Sequence, residues 1–170
     1  MNYTRINKTH IKYFKQILND NNVYFGEECK HYASDHTENL VFVPELVLSP
    51  SSTTEVAKIL KYCNKHSIPV TPSAALTGLS GGALPIFGGI SLSMIKMNKL
   101  ISIDEANFQA IVQPGLINEE FQNILKKKKL FYPPDPASKG SCTLGGNFAL
   151  NAGGPKAVKY GVTSNYVLNL

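Results

Sequence analysis

The sequence predicts a compact domain that mixes amphipathic helices with short strands. Three observations support this class: 43% of the 170 residues are hydrophobic, apolar residues recur at helical spacing in three segments, and short apolar runs lie between turns. The 13 glycines and 10 prolines are spread along the chain instead of forming a tract. A chain of this length buries roughly 70% of the surface that its unfolded form exposes. The composition therefore excludes a disordered chain and indicates many tight loops.

Helical spacing predicts three amphipathic helices. The first covers residues 9–21, with Thr9 as its N-cap, and the second covers residues 51–66 and opens with capping-box spacing. The third covers residues 117–129 and ends in the run Lys126 to Lys129. Lysines at a helix end suit the macrodipole, and the alternative is a site for nucleic acid or anionic lipid. No aromatic ladder or nucleic-acid motif accompanies the run, so the solvated helix end is favoured and no nucleic-acid partner is expected.

Short apolar runs predict the strands. These are a pair in 41–50 broken at Pro44, a buried strand in 68–72, three further strands in 89–94, 100–104 and 110–115, and a last one near the C-terminus. A further short helical stretch is expected between the two Gly-Gly pairs of residues 141–155. Consecutive prolines exclude a helix in FYPPDPAS, residues 131–138, which is predicted to be a rigid exposed loop.

The glycines exclude the common phosphate-binding and hydrolase motifs. No two glycines have one residue between them, which removes the dinucleotide motif GxGxxG, and no glycine precedes a lysine, which removes the P-loop. Gly78 to Gly82 matches GxSxG, but the catalytic histidine of that fold follows the serine, and all four histidines precede residue 67. What remains is a loop of small residues, 73–82, after a buried strand. Either it is a tight turn, or its N–H groups converge on an anion.

The cysteines, the histidines and the N-terminus give no indication of a metal site, a disulfide framework or secretion. The three cysteines are too far apart for a disulfide framework or a metal clip, and the histidines lack metal-ligand spacing, so no metal site is expected. The N-terminus has no secretory pattern, and no apolar run approaches the ~20 residues of a membrane span. The expected location is cytoplasmic.

Three segments together resemble a known family. They are PVTPSAALTGLSGGALP, MNKLISIDEANFQAIVQPG and FYPPDPASKGSCTLGGNFALNAGGPKAVKYGVTSNYVL. They are similar to the FAD-binding domain of the FAD-linked oxidase superfamily (vanillyl-alcohol oxidase type, also called PCMH type), in the branch of the glycolate oxidase flavoprotein subunit and D-lactate dehydrogenase. The resemblance implies an α+β fold of two subdomains with an extended FAD between them. It divides the chain into a helical leader, 1–40, and a C-terminally incomplete FAD-binding domain, 41–170, whose substrate-cap domain is absent.

The resemblance also implies which residues bind the cofactor. The loop would wrap the pyrophosphate, the proline segment would lie along the flavin, and the residues that follow would line and close over the dinucleotide. The loop residues are Ser73, Ala74, Ala75, Leu76, Thr77, Gly78, Leu79 and Ser80; those of the later segments are Pro134, Asp135, Ser138, Gly145, Gly146, Asn147, Asn151, Gly153, Gly154, Tyr160, Gly161 and Val162.

The loop departs from the family pattern at its start. Where the family usually has Arg-Gly-x-Gly/Asn, this chain has Ser73 to Leu76, so that a cation is missing and side chains replace glycine. We expect strain or a reshaped loop, and we expect Ser73→Arg to tighten FAD binding if the family's arginine supports the pyrophosphate. No His or Cys lies in 73–82, so the FAD is expected to be noncovalent.

The function implied is that of a flavin-dependent 2-hydroxy-acid oxidoreductase, in which substrate transfers a hydride to flavin N5. The substrate would be a small 2-hydroxy acid bound by the longer parent protein, with the family's substrate-side residues in the absent cap domain and the catalytic residues unassigned. This chain alone is expected to be inactive, because its single arginine, Arg5, lies outside those segments. One alternative is a non-catalytic flavin-binding module that needs a partner subunit or a cap domain. Another is an anion- or nucleotide-binding module without flavin.

Overall fold

The computed structural model describes residues 3–170, and the chain divides between Lys96 and Met97 into two compact units. The N-terminal unit comprises the described residues up to Lys96, and the C-terminal unit comprises Met97–Leu170. Each unit contains its own apolar core. The predicted boundary between a leader and the FAD-binding domain, after residue 40, is a different one and stays a prediction.

The N-terminal unit contains a four-stranded sheet and two helices. The strand order is β1-β2-β4-β3, with β1 antiparallel to β2 and the other pairs parallel. Three 3₁₀ turns, Asp20–Asn22, Gly26–Tyr32 and Met94–Lys96, connect these elements. The elements are α1 (Lys8–Ile17), β1 (Val23–Tyr24), β2 (Leu46–Leu48), α2 (Thr53–Lys65), β3 (Val70–Ser73) and β4 (Ile90–Ser93).

Both helices begin at a side-chain cap. Asn7 caps α1 by accepting hydrogen bonds from the N–H groups of Thr9 and His10, so the predicted cap at Thr9 is wrong by two residues. The predicted start of the second helix is confirmed, because the Ser52 hydroxyl accepts from the N–H of Glu55 at 3.3 Å. Each cap satisfies N–H groups that the helix itself leaves without acceptors.

One face of the parallel strands forms the core of this unit. Leu46 and Leu48 of β2 alternate with Val47 and pack with Ile90 of β4 and with Phe14 of α1. The predicted first strand of the 41–50 pair is wrong. Its valines, at positions 41 and 43, are 68% and 48% exposed and pair with no strand, so they have no partner face to bury against.

The C-terminal unit combines a hairpin with helices. The predicted strands at 100–104 and 110–115 pair as an antiparallel hairpin, and the predicted third helix and the short helical stretch between the Gly-Gly pairs are both present. Its core is built from Leu116, Phe121, Leu125, Tyr132 and Leu144. The elements are β5 (Leu100–Asp104), β6 (Gln109–Val112), α3 (Asn118–Lys127), α4 (Leu144–Leu150), α5 (Ala157–Tyr160) and a 3₁₀ turn, Thr163–Tyr166.

Two predictions for this unit are wrong. The proline segment is irregular as expected, but residues 132–135 are buried instead of exposed. The predicted C-terminal strand is replaced by the turn at Thr163–Tyr166. That turn forms because Thr163 donates through both its N–H and its hydroxyl to the carbonyl of Ala152, which holds the chain against α4 instead of beside a strand.

The described residues, 3–170, contain no membrane-spanning helix, disulfide or metal-binding cluster. No helix in this range has the length and hydrophobicity that crossing a membrane requires. The three cysteines are unpaired and buried. Within the same residues, no cluster of three or more His, Cys, Asp or Glu side chains is placed to hold a metal ion.

Candidate FAD-binding site

The loop that follows β3 presents a run of unused backbone donors. Between Ala74 and Ala83, no backbone N–H donates a hydrogen bond to any described residue. The residues of this run are half-buried or exposed, so these donors are open to an acceptor from outside the protein. The loop starts at the carboxyl end of a parallel strand, the edge where α/β sheets bind ligands. Chemically, this arrangement can surround an oxyanion.

The first residues of this loop adopt the strain that the sequence predicts. Leu76, at the position where the family pattern has Gly or Asn, has φ of +56°, in the left-handed region that a Cβ disfavours. Ala74 is outside that region, so one of the two replaced positions is strained.

Ser73 is placed differently from the expectation behind Ser73→Arg. It is the last residue of β3 and is 5% exposed, with its hydroxyl 2.8 Å from the hydroxyl of Ser91 in the neighbouring strand. Its side chain is bonded to the neighbouring strand and shielded from solvent, which does not favour the expectation that an arginine here would reach a ligand; that expectation stays a prediction.

A segment from the predicted leader also contacts the loop. The N–H of His36 donates to the carbonyl of Gly78 at 3.0 Å. Nearby, Asp35 Oδ2 and the Thr37 hydroxyl are buried without a hydrogen-bond partner. Gly81 has φ of +68°, and a Cβ there would lie 3.9 Å from the Thr37 hydroxyl. No sequence pattern indicates this contact, because residues 22–40 have no periodicity.

The predicted residues of the C-terminal unit form one bonded network. The N–H of Asp135 donates to the carbonyl of Gly153 at 3.1 Å, and the Asn151 side chain accepts from the N–H of Ser164 at 2.9 Å. Asn165 accepts from the N–H of Val162 at 2.9 Å. Tyr160, Gly161 and Val162 therefore lie in the same unit as the proline segment, joined to it through residues 151–154, whereas Ser73 to Ser80 belong to the N-terminal unit.

Glycines in this network are required by the protein itself. A Cβ at Gly145 would lie 2.6 Å from the Pro114 side chain, and the N–H of Gly145 donates to the Pro114 carbonyl. Gly154 has φ of +120°, and a Cβ there would overlap the Asp135 carbonyl. At Gly161, the Asn165 side chain occupies the space that a Cβ would need. These three glycines are therefore required by contacts within the protein, independently of any cofactor.

Asp135 is the one buried carboxylate of the predicted set. Lys139 and Lys156 each place Nζ 3.0 Å from one of its oxygens. These hydrogen bonds from Lys156 and Lys139 lower the pKa of Asp135 below its ordinary value, in spite of the opposing effect of burial. The side chain is therefore held ionised, with both oxygens directed at lysines.

Two residues that sequence reasoning missed contact the proline segment. Asn118 and Gln122, one turn apart on α3, donate to the carbonyl of Pro134 at 3.2 and 2.8 Å. The sequence does contain a signal for them. Asn118 and Gln122 are four residues apart, so they share a helix face, next to the apolar Phe121 and Leu125.

Comparison with known proteins decides the family. Residues 44–170 match the family described as FAD binding domain. The chain belongs to this FAD-binding domain family. The FAD-linked oxidase resemblance and the α+β fold expected from it are confirmed.

Two curated relatives belong to the predicted branch of the family. This chain is 42% identical over 168 residues to a D-lactate dehydrogenase of Anaerostipes hadrus, covering 97% of this chain and 35% of the relative. It is 42% identical over 139 residues to the glycolate oxidase subunit GlcD of Bacillus subtilis, covering 82% of this chain and 30% of that subunit. The chain thus spans about a third of the length of these relatives.

A solved structure supports the fold. The FAD-binding domain superposes on alkyldihydroxyacetonephosphate synthase with a TM-score of 0.87 at 19% identity, covering 99% of this chain and 33% of the synthase. At that identity the likeness is one of fold.

The described residues fit the cofactor of the family. FAD carries a diphosphate, and the loop from Ala74 to Ala83 offers N–H donors that no protein acceptor uses. Neutral amide dipoles suit an anion where no arginine or lysine is present in the loop.

Proposed function

We propose that this FAD-binding domain holds FAD noncovalently and serves as the cofactor-binding part of a 2-hydroxy-acid oxidoreductase. The loop from Ser73 to Ser80 would bind the diphosphate through its N–H groups. The predicted residues of the C-terminal unit, from Pro134 to Val162, would line the rest of the dinucleotide. When bound, FAD supplies the acceptor for the hydride that a hydroxy acid loses on oxidation.

The run of unused N–H groups in the loop is the observation that supports this proposal most. None of the residues from Ala74 to Ala83 is fully buried, so their donors are accessible from outside the protein, and a diphosphate accepts several hydrogen bonds at once. Noncovalent binding is supported by the placement of the thiols: Cys29, Cys63 and Cys142 are buried, and burial raises the pKa of the Cys63 thiol to about 12. A buried, protonated thiol is a poor nucleophile.

The substrate class rests on the names of the relatives. Lactate and glycolate are both 2-hydroxy acids, and the chain is similar to proteins named for each. We propose that the longer protein acts on such an acid, together with a cap domain or a partner subunit that completes the site.

The only arginine supports the proposal that residues 1–170 alone do not oxidise a 2-hydroxy acid. Arg5 Nη1 lies 3.0 Å from Glu45 Oε1. Burial raises the pKa of Glu45, but hydrogen bonds from the N–H groups of Ile6 and Gly89 and from Arg5 outweigh it, so the pKa is lowered. Arg5 therefore pairs through one nitrogen with a carboxylate of the protein and lies outside the segments that we propose to bind FAD, whereas substrate carboxylates usually receive a bidentate arginine.

The test is a binding experiment with three ligands. The purified chain is titrated with FAD, with ADP and with riboflavin, and the flavin absorbance is recorded before and after acid precipitation. We expect FAD to bind, ADP to compete with it, riboflavin to bind at least tenfold more weakly, and the colour to leave the acid pellet. A folded chain that bound none of them would contradict the proposal.

The same titration separates the alternative without flavin. Binding of ADP with the same affinity as FAD would favour a nucleotide-binding module, because the isoalloxazine would then add nothing. Colour retained in the acid pellet would contradict noncovalent attachment.

A further inference from the structure

The proline segment cannot hold itself by backbone hydrogen bonds. Pro133, Pro134 and Pro136 have no N–H, and the N–H of Asp135 donates to the carbonyl of Gly153. The carbonyls of such a segment need donors from elsewhere when they are buried, and residues 132–135 are buried.

Two side-chain amides of α3 supply these donors. Asn118 Nδ2 lies 3.2 Å and Gln122 Nε2 lies 2.8 Å from the carbonyl oxygen of Pro134, and Gln122 Nε2 also lies 3.0 Å from that of Tyr132. The Pro134 carbonyl thus receives a donor on each of its two lone pairs. Its direction is fixed toward α3.

Asn118 also ties the segment to α4. It is 0% exposed, and its Oδ1 accepts from Asn147 Nδ2 at 3.1 Å. Its own N–H donates to the carbonyl of Cys142 at 3.0 Å, just before α4. One buried side chain therefore connects the proline segment with Asn147, two places that the family resemblance assigns to the cofactor.

We propose that Asn118 and Gln122 are positioning residues for FAD, an inference that rests on the proposed function. They hold the Pro134–Asp135 peptide in one orientation before the cofactor arrives, so that binding does not have to order this segment. They act through the Pro134 carbonyl and are assigned no contact with FAD.

Isosteric variants with a matched control test this role. Asn118→Asp and Gln122→Glu keep the size of each side chain but replace the donor with a carboxylate that repels the Pro134 carbonyl. Asn123→Asp makes the same change at an exposed position of α3. FAD titration of the full chain should show affinity about tenfold weaker for the first two. The control should stay within twofold of the parent chain.

A pH profile distinguishes positioning from loss of structure. A protonated carboxyl group regains an O–H donor, so the affinity deficit of Asn118→Asp and Gln122→Glu should shrink as the pH falls toward 5. Asn123→Asp should show no such recovery. Affinities equal to the parent chain at pH 7.5, or a deficit that does not change with pH, would overturn the inference.

Amide hydrogen exchange tests the same role without cofactor. The Asp135 N–H should exchange at least tenfold faster in both variants and at the parent rate in Asn123→Asp. If Asn118→Asp does not fold, Gln122→Met, at a half-exposed position, carries the test. Should the parent chain fail to bind FAD, the proposed function fails, while unchanged exchange at Asp135 would independently contradict the positioning role.

Discussion

The two segments that we propose to bind FAD use small residues in opposite ways. In the N-terminal unit, the loop from Ala74 to Ala83 leaves its N–H groups without acceptors, and Gly82 has no atom near the place of a Cβ. In the C-terminal unit, Pro114 lies where a Cβ of Gly145 would be and the Asp135 carbonyl lies where a Cβ of Gly154 would be, and the N–H groups of Gly145 and Asp135 are bonded within the protein. Glycine thus keeps the first segment open to a ligand and lets the second pack against itself. Both segments are rich in glycine and alanine, so the sequence alone does not distinguish these two uses.

Replacing one glycine of each segment by alanine tests whether the two segments differ in their tolerance of a side chain. Gly154→Ala should lower the free energy of unfolding by about 4 kcal/mol, because the Cβ overlaps the Asp135 carbonyl and φ is +120°. Gly82→Ala, with no atom within 4 Å, should change it by less than about 0.5 kcal/mol. Urea unfolding measures both. Equal effects would remove the distinction between the two segments.

Ser73→Arg should destabilise the chain instead of improving FAD binding. The change places a charged side chain at a position that is 5% exposed and removes the bond to Ser91, for a loss of about 3 kcal/mol. Ser80→Arg, at an exposed position of the same loop, is the stability control. Thermal unfolding decides, and a Ser73→Arg chain of parent stability would show that the side chain reaches solvent.

Leu76→Asn should stabilise the loop slightly. Asn tolerates the left-handed conformation, so relief of strain at φ of +56° should exceed the loss of a half-buried apolar side chain by about 0.5 kcal/mol. Leu79→Asn in the same loop lacks a positive φ and should bring no gain. A lower midpoint of urea unfolding for Leu76→Asn than for Leu79→Asn would contradict the strain.

The stability of the N-terminal unit should fall in mild acid. Burial and then the charge of His66 lower the pKa of His10 below its ordinary 6.5, so the unfolded chain binds the proton more readily than the folded one. Stability contributed by neutral His10 is therefore complete above pH 6.5 and is lost progressively below it. Unfolding measured from pH 7.5 to 5 should show this slope, and His10→Gln should flatten it.

Local patterns predicted most elements, and contacts distant in sequence explain the rest. The three amphipathic helices and the strands at 68–72 and 100–104 follow from apolar spacing within each segment. The burial of Pro134 does not, because it depends on amides supplied by Asn118 and Gln122 from another element. The replaced C-terminal strand has the same origin, since Thr163 bonds to Ala152.

Within the candidate site, the family resemblance proposed the segments but did not indicate the contacts of their side chains. It placed Ser73 where an arginine is usual, yet no sequence feature showed that the serine faces Ser91 inside the sheet. Likewise, residues 22–40 carry no periodicity that would indicate the hydrogen bond of His36 to the loop.

The most direct test is to follow each backbone N–H by NMR while FAD is added to the labelled chain. We expect the largest changes in chemical shift at the N–H groups from Ala74 to Ala83, whose donors are unused. Smaller changes are expected at Gly145 and Asp135, because their N–H groups are already bonded within the protein. A chain saturated with FAD in which the loop N–H signals did not move would contradict this expectation.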